Sequence, residues 1–355
     1  MDPDRSNRTL DLLGVELPVI QAPMAGATTA EMVIAVSNAG GLGSLPSAVY
    51  SEAQLRAALD VVRAGTRKPI NVNFFAHGTP AEDPDRQAAW RRRLAPYYIE
   101  AGLDPEMALP AGGRAPFDET FCTVVEAYRP EVVSFHFGLP APALLERVKR
   151  TGARVLSSAT TVAEALWLEA RGVDAVIAMG FEAGGHRGNF LTDDMTTQVG
   201  TMALVPRIVD AVSVPVIAAG GIDDRRGVVA ASALGAEAVQ VGTAYLLTPE
   251  AAISEIYRDA LASAEDLTAV TNLFTGRPAR GIVNRFMTEV GPLSDLPPAF
   301  PTAAAAVLPL RKAAEAAGRG DFTPLWAGQA FRLASPLSSA ALTLSLAGVE
   351  IPALG

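Results

Sequence analysis

The chain has 355 residues, enough for one large α/β barrel with additions or for two domains. Hydrophobic residues make up 49% and charged residues 19%, but no apolar stretch reaches the roughly 18 residues of a membrane-spanning helix, so no membrane partner is expected. A net charge of -9 argues against nucleic acid, because contacts with phosphate need basic side chains. We therefore expect small molecules as partners.

The first nine residues, Met1–Thr9, are polar and lack the apolar segment of a secretory signal. The single cysteine, Cys122, excludes an internal disulfide and a thiolate metal cluster. These features predict a cytoplasmic protein without a metal site. They do not distinguish a monomer from a homodimer.

Short runs rich in Val, Ile and Ala alternate with amphipathic stretches rich in Ala and Glu. Eight runs have the length and composition of buried parallel strands. They are Pro18–Ala22, Gly41–Leu45, Ile70–Phe74, Val132–Phe137, Arg154–Ser158, Ala175–Ala178, Val214–Ala219 and Ala238–Val241. This alternation predicts a (β/α)8 TIM barrel within the α/β class.

Two parts of the chain depart from the repeat. Residues from about 76 to 128 separate the third and fourth strands, and we expect a helical insertion over the barrel mouth. After about Thr248 no strand pattern returns, so residues 249–355 are predicted to form a helical C-terminal extension. The whole chain, residues 1–355, is predicted to be a single domain.

Glycine pairs follow three of the predicted strands, where TIM barrels place their functional residues. One pair alone is best interpreted as a tight strand-to-helix turn. Three such ends favour binding of a phosphate, because glycine lets backbone N–H groups approach an anion closely. The candidate residues are Gly184 and Gly185 after strand six, Gly220 and Gly221 after strand seven, and Gln240, Val241, Gly242 and Thr243 at strand eight.

The chain has three histidines, two of them at predicted strand ends. His136 lies between two phenylalanines; a buried core histidine would fit that setting, but its place at a strand end favours catalysis. An ordinary pKa near 6.5, lowered by apolar surroundings, would leave the ring neutral and able to accept a proton. His186 is the alternative base, and His77 is expected to be solvated in a loop.

Three arginines, Arg277, Arg280 and Arg285, lie close together in the predicted extension. We expect them to hold the extension against the barrel. Contact with the substrate is the less favoured interpretation.

The motifs at the strand ends resemble those of the nitronate monooxygenases, formerly called 2-nitropropane dioxygenases. The resemblance covers nearly the whole chain, and the set of motifs is highly specific for this group of flavin barrels. The matching segments are Gln21-Ala-Pro-Met24, Asn71-Val-Asn-Phe74, Ser134-Phe-His-Phe-Gly138, Glu182-Ala-Gly-Gly-His-Arg-Gly188, Ala219-Gly-Gly-Ile222, Gln240-Val-Gly-Thr243 and Leu325-Trp-Ala-Gly-Gln329.

The resemblance implies a tightly held FMN and the oxidation of alkyl nitronates, such as propionate 3-nitronate, by O2. The products would be a carbonyl compound with nitrite and nitrate. His136 matches the family's catalytic histidine, which deprotonates a nitroalkane or holds a nitronate oxygen, and His186 would lie nearer the phosphate or the flavin edge. The implied FMN contacts are Pro23, Met24, Asn73, Met179, Gly184, Gly185, Gly220, Gly221, Gln240, Val241, Gly242 and Thr243.

The chain departs from the family pattern at two places. Met179 stands where the family commonly has glutamine, and a thioether is only a weak hydrogen-bond acceptor. The loss of such a bond would cost on the order of 1 kcal/mol and would shift the flavin potential. The segment Pro298–Val307 carries Phe300 and alanines where relatives often have a tyrosine, so the substrate range is expected to differ.

Two alternatives remain. An NADH-dependent flavin reductase, acting on quinones or on an enoyl-acyl-carrier protein, shares the Gly-Gly-His motif. The histidine at position 136 favours nitronate chemistry over it. A flavin-binding protein without turnover is the second alternative, and only Met179 favours it.

Overall fold

The computed structural model describes residues 8–110, 114–263 and 267–351. Eight parallel strands form one sheet in the order β1-β9-β8-β6-β5-β4-β3-β2. A bridge between Ile20 and Leu42 joins β1 to β2 and closes the sheet, which confirms the predicted (β/α)8 barrel. The barrel strands are β1 (Val19–Gln21), β2 (Gly43–Pro46), β3 (Ile70–Phe75), β4 (Val132–His136), β5 (Arg154–Ala159), β6 (Ala175–Met179), β8 (Val216–Ala219) and β9 (Ala238–Val241).

The observed strands match the predicted ones to within two residues at each end. The prediction for the seventh barrel strand starts at Val214, whereas β8 begins at Val216. Pro215 lies between them and has no N–H to donate to a neighbouring strand.

Alternation along β4 shows how the barrel interior is layered. Val132, Ser134 and His136 point inward, while Val133 and Phe135 pack against the helices outside. The inward positions therefore change from apolar at the base, through a hydroxyl in the middle, to imidazole at the mouth. This one strand places its only titratable group where TIM barrels carry out their chemistry.

Helices surround the sheet, and most follow a strand directly. The last helix packs against the helices that follow β1 and β8, completing the outer ring. The helices are α1 (Arg8–Leu13), α2 (Ala30–Asn38), α3 (Glu52–Gly65), α4 (Pro84–Glu100), α5 (Glu119–Tyr128), α6 (Pro142–Arg150), α7 (Val162–Glu169), α8 (Thr201–Val209), α9 (Arg225–Ala233), α10 (Thr243–Leu246), α11 (Glu255–Ala262), α12 (Arg285–Val290), α13 (Ala304–Ala316) and α14 (Ser339–Ala347).

Helix α4 of the inserted segment packs against α13 of the C-terminal segment. The phenol of Tyr98 donates to the Ala306 carbonyl at 2.7 Å, and Trp90 is 1% exposed in the same apolar cluster. The two segments outside the barrel repeat therefore share a second core. Residues 111–113 of the inserted segment lie outside the described residues.

The C-terminal segment also contains strands, so the expectation of helices alone after Thr248 is wrong. Strands β10 (Thr268–Thr271) and β11 (Ala279–Ile282) pair antiparallel, and β11 pairs with the short β7 (Gly185–His186). Each strand is four residues long or shorter, and Arg280 with Gly281 interrupts the apolar pattern of β11. This sheet attaches the C-terminal segment to the loop that follows β6.

Within the described ranges, no helix is both long and apolar enough to cross a membrane.

Candidate active site

A sharp backbone turn presents His136 at the end of β4. Phe137 has a φ of 72° and Gly138 a φ of 90°, both in the left-handed region. A phenylalanine pays of order 1–2 kcal/mol for that conformation, a cost concentrated at functional sites. The hydroxyl of Ser157 stabilises the turn by donating to the Gly138 carbonyl at 2.8 Å.

Both ring nitrogens of His136 are bonded inside the protein. Nε2 lies 3.1 Å from the carbonyl oxygen of His186, and Nδ1 lies 2.6 Å from the hydroxyl of Ser158. A carbonyl only accepts, so Nε2 carries the proton and Nδ1 accepts from Ser158. The ring is thus fixed as one tautomer, with its N–H at the mouth of the barrel.

Burial, together with the positive charges of Arg277 and Arg187, lowers the pKa of His136 to about 4, although the hydrogen bond to the His186 carbonyl acts in the opposite direction. The pKa values of His77 and His186 are lowered too, first by burial and then by neighbouring arginines. All three rings are therefore neutral at pH 7. A neutral imidazole donates one hydrogen bond and is a weak base.

An aromatic cage surrounds these rings. Its members are Phe75, Phe137 and Phe300, and ring centroids lie 4.4 Å apart for His136 and Phe137 and 5.3 Å apart for His186 and Phe300. His77 also belongs to it, 4.8 Å from Phe300, and is only 9% exposed. The expectation that His77 is solvated is therefore wrong, because the inserted and C-terminal segments cover its loop.

A cavity of about 840 Å³ opens beside the cage, lined in part by His77, Phe137, Arg277 and Phe300. The guanidinium of Arg277 lies 4.2 Å from the centre of the Phe137 ring and donates to the Asn189 carbonyl. This volume accommodates a small organic substrate. Arg277 therefore lies at the site, as well as holding the C-terminal segment.

The predicted glycines do not all line one cavity: Gly184, Gly185 and Gly242 are absent from the lining of a second cavity, of about 470 Å³, which Gly220 and Gly221 help to line. Their φ values are 105° and 71°, which favour glycine. A Cβ on Gly184 would lie 2.5 Å from the backbone nitrogen of Gly328, so only glycine allows that approach. At Gly185, by contrast, nothing lies within 4 Å of an added Cβ, which leaves open space above its backbone.

The polar groups that follow β9 already form hydrogen bonds with other parts of the chain. The hydroxyl of Thr243 accepts from the Gly328 N–H at 3.0 Å, and the Ala244 N–H donates to the carboxylate of Asp223. Burial raises the pKa of Asp223 to about 6. Gly242 precedes α10, and Val241 is buried in β9. A hydroxyl that accepts one hydrogen bond still has its own proton to donate, so the Thr243 hydroxyl and the glycine backbone can both receive a phosphate.

Gln240 has an unsatisfied acceptor. Its Oε1 is buried, and no hydrogen-bond donor reaches it among the described residues. An unpaired buried oxygen costs roughly 1–3 kcal/mol, so a donor from a bound group would stabilise the site. Gln240 and the space above Gly185 are both features that a bound flavin nucleotide fits.

The other predicted cofactor contacts lie around the barrel mouth. Asn73 donates through Nδ2 to the Ser134 hydroxyl at 3.0 Å. The Met24 N–H donates to the Thr28 hydroxyl at 3.1 Å, and Pro23 beside it is partly buried. Met179 ends β6, 8% exposed, and its carbonyl accepts from Arg187 at 2.9 Å.

The model of the family described as nitronate monooxygenase matches residues 6–348 of this chain. The chain belongs to the nitronate monooxygenase family. It is 43% identical over 348 residues to nitronate monooxygenase from Pseudomonas aeruginosa, covering 96% of this chain and 98% of that protein. Over 342 residues it is 42% identical to nitronate monooxygenase from Paraburkholderia phytofirmans, covering 95% of this chain and 93% of the relative.

Solved structures show the same similarity. A nitroalkane oxidase from Streptomyces ansochromogenes superposes with a TM-score of 0.87 at 37% identity, covering 97% of each chain. FabK from Thermotoga maritima superposes with a TM-score of 0.73 at 28% identity, covering 97% of this chain and 95% of that one. The chain is therefore an enzyme of the nitronate monooxygenase family, an oxidoreductase family.

Three residues that lie beside His136 were given no role from the sequence. Ser158 fixes the ring, and Gly188 covers it, since a Cβ on Gly188 would lie 2.9 Å from His136 Cε1. Arg187 is fully buried and donates to the Met179 and Gly180 carbonyls. Alternation along β5 could have indicated Ser158, because Leu156 and Ser158 share the inward face.

Proposed function

We propose that this chain oxidises alkyl nitronates with O2, using bound FMN, to a carbonyl compound with nitrite and nitrate. The observation that most supports this proposal is the neutral ring of His136. Its Nε2–H lies in an aromatic cage, beside a cavity and the cationic side chain of Arg277. A nitronate is a planar anion with its charge on oxygen. A fixed donor and a nearby cation are suited to hold it.

The glycine surfaces at residues 184, 185, 220 and 221 would hold the phosphate of FMN, and Gln240 Oε1 would accept a hydrogen bond from an N–H or O–H group elsewhere on FMN. The remaining FMN contacts are proposed at Pro23, Met24, Asn73, Met179, Val241, Gly242 and Thr243. When bound, FMN supplies the one-electron chemistry between the nitronate and O2.

His136 would exchange its bond to the His186 carbonyl for a bond to a nitronate oxygen. With a neutral nitroalkane the ring would instead have to take up a proton, for which a pKa of about 4 makes it a weak base. The structure thus favours the holding role of His136 over the proton-abstracting role. The apolar cage would keep water away from the reacting atoms.

Oxygen consumption tests this proposal. The purified protein is given a nitronate, its neutral nitroalkane, or NADH with a quinone, and the released cofactor is identified by its absorbance and mass. We expect FMN and rapid oxygen uptake with the nitronate. NADH consumption with a quinone, and no oxygen uptake with the nitronate, would assign the chain to the flavin reductases.

The similarity to FabK gives the reductase alternative its support, at 28% identity. A yellow protein that takes up no oxygen and oxidises no NADH would indicate flavin binding without turnover. We place the enzyme in the cytoplasm, as a monomer or homodimer.

A further inference from the structure

A buried carboxylate joins two of the loops that are proposed to hold the FMN phosphate. Asp223 follows Gly221 by two residues in the loop after β8, and Ala244 directly follows Thr243 in the segment after β9. Oδ1 of Asp223 accepts a hydrogen bond from the Ala244 N–H at 3.2 Å. The carboxylate therefore lies beside backbone that both loops would offer to a phosphate.

Asp223 has fewer hydrogen bonds than the other buried carboxylates near the site. Glu164, which is fully buried, accepts from three backbone N–H groups and one hydroxyl. Glu182 accepts from both the N–H and the hydroxyl of Thr201. Asp223 is only 6% exposed, and the Ala244 N–H is its single hydrogen-bond donor among the described residues. Burial with so few donors disfavours the charged form of a carboxylate.

No cation neutralises Asp223. In the part of the chain that the structure describes, no basic nitrogen lies within 4 Å of its carboxylate. At the start of α9, Arg226 pairs with Asp224, and Arg225 donates to a carbonyl of α14. Arg332, in the short turn that packs against α10, is exposed to solvent. Helices α10 and α14 carry no charged side chain.

The remaining titratable groups around this loop have other partners. The Tyr245 phenol bonds a hydroxyl of α14, and Glu182, which packs against Gly221, is held at the start of α8. Burial, with a smaller contribution from the negative charge of Asp224, raises the pKa of Asp223 to about 6, although the Ala244 N–H acts in the opposite direction. Without FMN, this carboxylate is therefore mostly ionised at pH 7.

We propose that the binding of FMN is linked to a proton at Asp223, which takes up one proton from solvent when the phosphate enters the loops that it joins. This inference rests on the proposed binding of FMN and adds a pH control to it. A phosphate is close to a dianion at pH 7, and a nearby like charge raises the pKa of a carboxyl group. Protonated Asp223 can still accept from the Ala244 N–H, and it gains an O–H to donate.

The sign of the pH dependence follows from this linkage. Below about pH 6, Asp223 is already protonated in the free protein, and its protonation costs FMN binding nothing. As the pH rises above that value, the affinity for FMN falls by about 10-fold per pH unit, until the pH passes the higher pKa of Asp223 in the FMN-bound protein.

Titration of the full-length, flavin-free protein with FMN or riboflavin at pH 6 and pH 8 tests the linkage, with flavin fluorescence as the readout. In the wild type we expect the Kd for FMN to rise about 10-fold between the two pH values. In Asp223→Asn this rise should disappear, and FMN should bind more tightly than to the wild type at pH 8. The amide oxygen can still accept from the Ala244 N–H but carries no charge. Riboflavin, which lacks the phosphate, should bind each protein equally at both pH values.

Asp224→Asn is the matched control. This neighbouring carboxylate caps α9 and pairs with Arg226 near the surface, and an asparagine can still cap the helix. The pH dependence of FMN binding should persist in this variant. An equal pH dependence in the wild type and in Asp223→Asn would overturn the inference.

Calorimetry of the wild-type protein gives a second measurement, which decides if Asp223→Asn fails to fold. Binding heats at pH 7.5 in Tris and in HEPES buffer report the protons taken up. We expect uptake of about half to one proton with FMN and none with riboflavin; no uptake with FMN would overturn the linkage. Proton-linked FMN binding without nitronate turnover would keep this inference and reject the oxidation of nitronates. Nitronate turnover by a protein whose affinity for FMN is the same at both pH values would do the reverse.

Discussion

At the scale of single residues, the hydrogen bonds of His136 decide what its ring does. Ser158 donates to Nδ1 and the His186 carbonyl accepts from Nε2–H, so the neutral ring presents a donor. The sequence places this histidine correctly at a strand end, from the inward alternation of β4. The sequence did not decide between the proton-accepting and the nitronate-holding role of His136, because the hydrogen-bond partners of its ring lie on other strands.

We predict that His136→Asn retains FMN and loses most activity. Turnover of a neutral nitroalkane, already slow in the wild type because the ring is a weak base, should fall at least about 100-fold, the scale for loss of a proton-transfer group. Turnover of the nitronate should fall less, by about 10-fold, because one hydrogen bond to the anion is lost. Steady-state oxygen uptake with both substrates measures this. Unchanged activity on the nitroalkane would move the base to His186.

Ser158→Ala tests how the ring is fixed. The Ser158 hydroxyl donates to the lone pair of Nδ1 and so stabilises the neutral form; its removal should raise the pKa of His136 from about 4. In the wild type the ring stays neutral as the pH falls from 8 to 5, and nitronate turnover should show no loss caused by His136. In Ser158→Ala, the loss of turnover of a neutral nitroalkane at acid pH should begin at a higher pH, because a protonated ring cannot accept the substrate proton.

The matched comparison is Ser157→Ala, which removes a hydroxyl that bonds the Gly138 carbonyl instead of the ring. In Ser157→Ala, the fall in turnover at acid pH should occur at the same pH as in the wild type. Superimposable pH profiles for the wild type and Ser158→Ala would count against the assigned tautomer.

At the scale of elements, the barrel strands were predictable and the C-terminal strands were not. Buried parallel strands are continuous apolar runs, such as Ala175–Met179 in β6, and these stand out in a sequence. Strands β10 and β11 are short and partly polar, and the pairing of β11 with β7 joins residues about 90 positions apart. No local pattern signals such a contact.

The close approach of two loops gives a prediction at this scale. Gly184, after β6, lies against the backbone of Ala327 and Gly328, where an added Cβ would be 2.5 Å from a nitrogen. Gly184→Ala should therefore push these loops apart, lower the melting temperature by several degrees, and weaken FMN binding. Thermal denaturation and the flavin content of the purified protein measure both effects.

Gly152→Ala provides the comparison, since its added Cβ has nothing within 4 Å and the residue lies at the end of α6, away from the mouth. Its φ of 90° still strains an alanine, so some loss of stability is expected there too. FMN content should be normal in Gly152→Ala. If Gly184→Ala has the same FMN content as the wild type, the close approach of Gly184 to the backbone of Ala327 and Gly328 does not shape the cofactor site.

At the scale of the whole molecule, the inserted and C-terminal segments complete a site that the barrel only begins. Helices α4 and α13 form a second core, and Phe300 and Arg277 reach the cavity from the C-terminal segment. This explains why the sequence predicted a solvated loop position for His77 and only a structural role for Arg277. His77 packs against Phe300, and Arg277 contacts Phe137 and Asn189. These partners lie 88 or more positions away in the sequence, which neither composition nor periodicity reveals.

Met179 and Phe300 both bear on the chemistry of the site, since the resemblance in sequence predicts polar side chains at these two positions. Met179 is nearly buried at the end of β6, and Phe300 contributes to an apolar cage. We infer that the cage compensates by excluding water around the single donor of His136.

Oxygen uptake by the purified, FMN-loaded protein with a freshly prepared nitronate tests the central claim most directly. We predict rapid uptake that yields nitrite and nitrate, needs no NADH, and falls about 10-fold in His136→Asn, as expected for one lost hydrogen bond to an anion. A flat oxygen trace with the nitronate, from protein that carries its full flavin content, would contradict it.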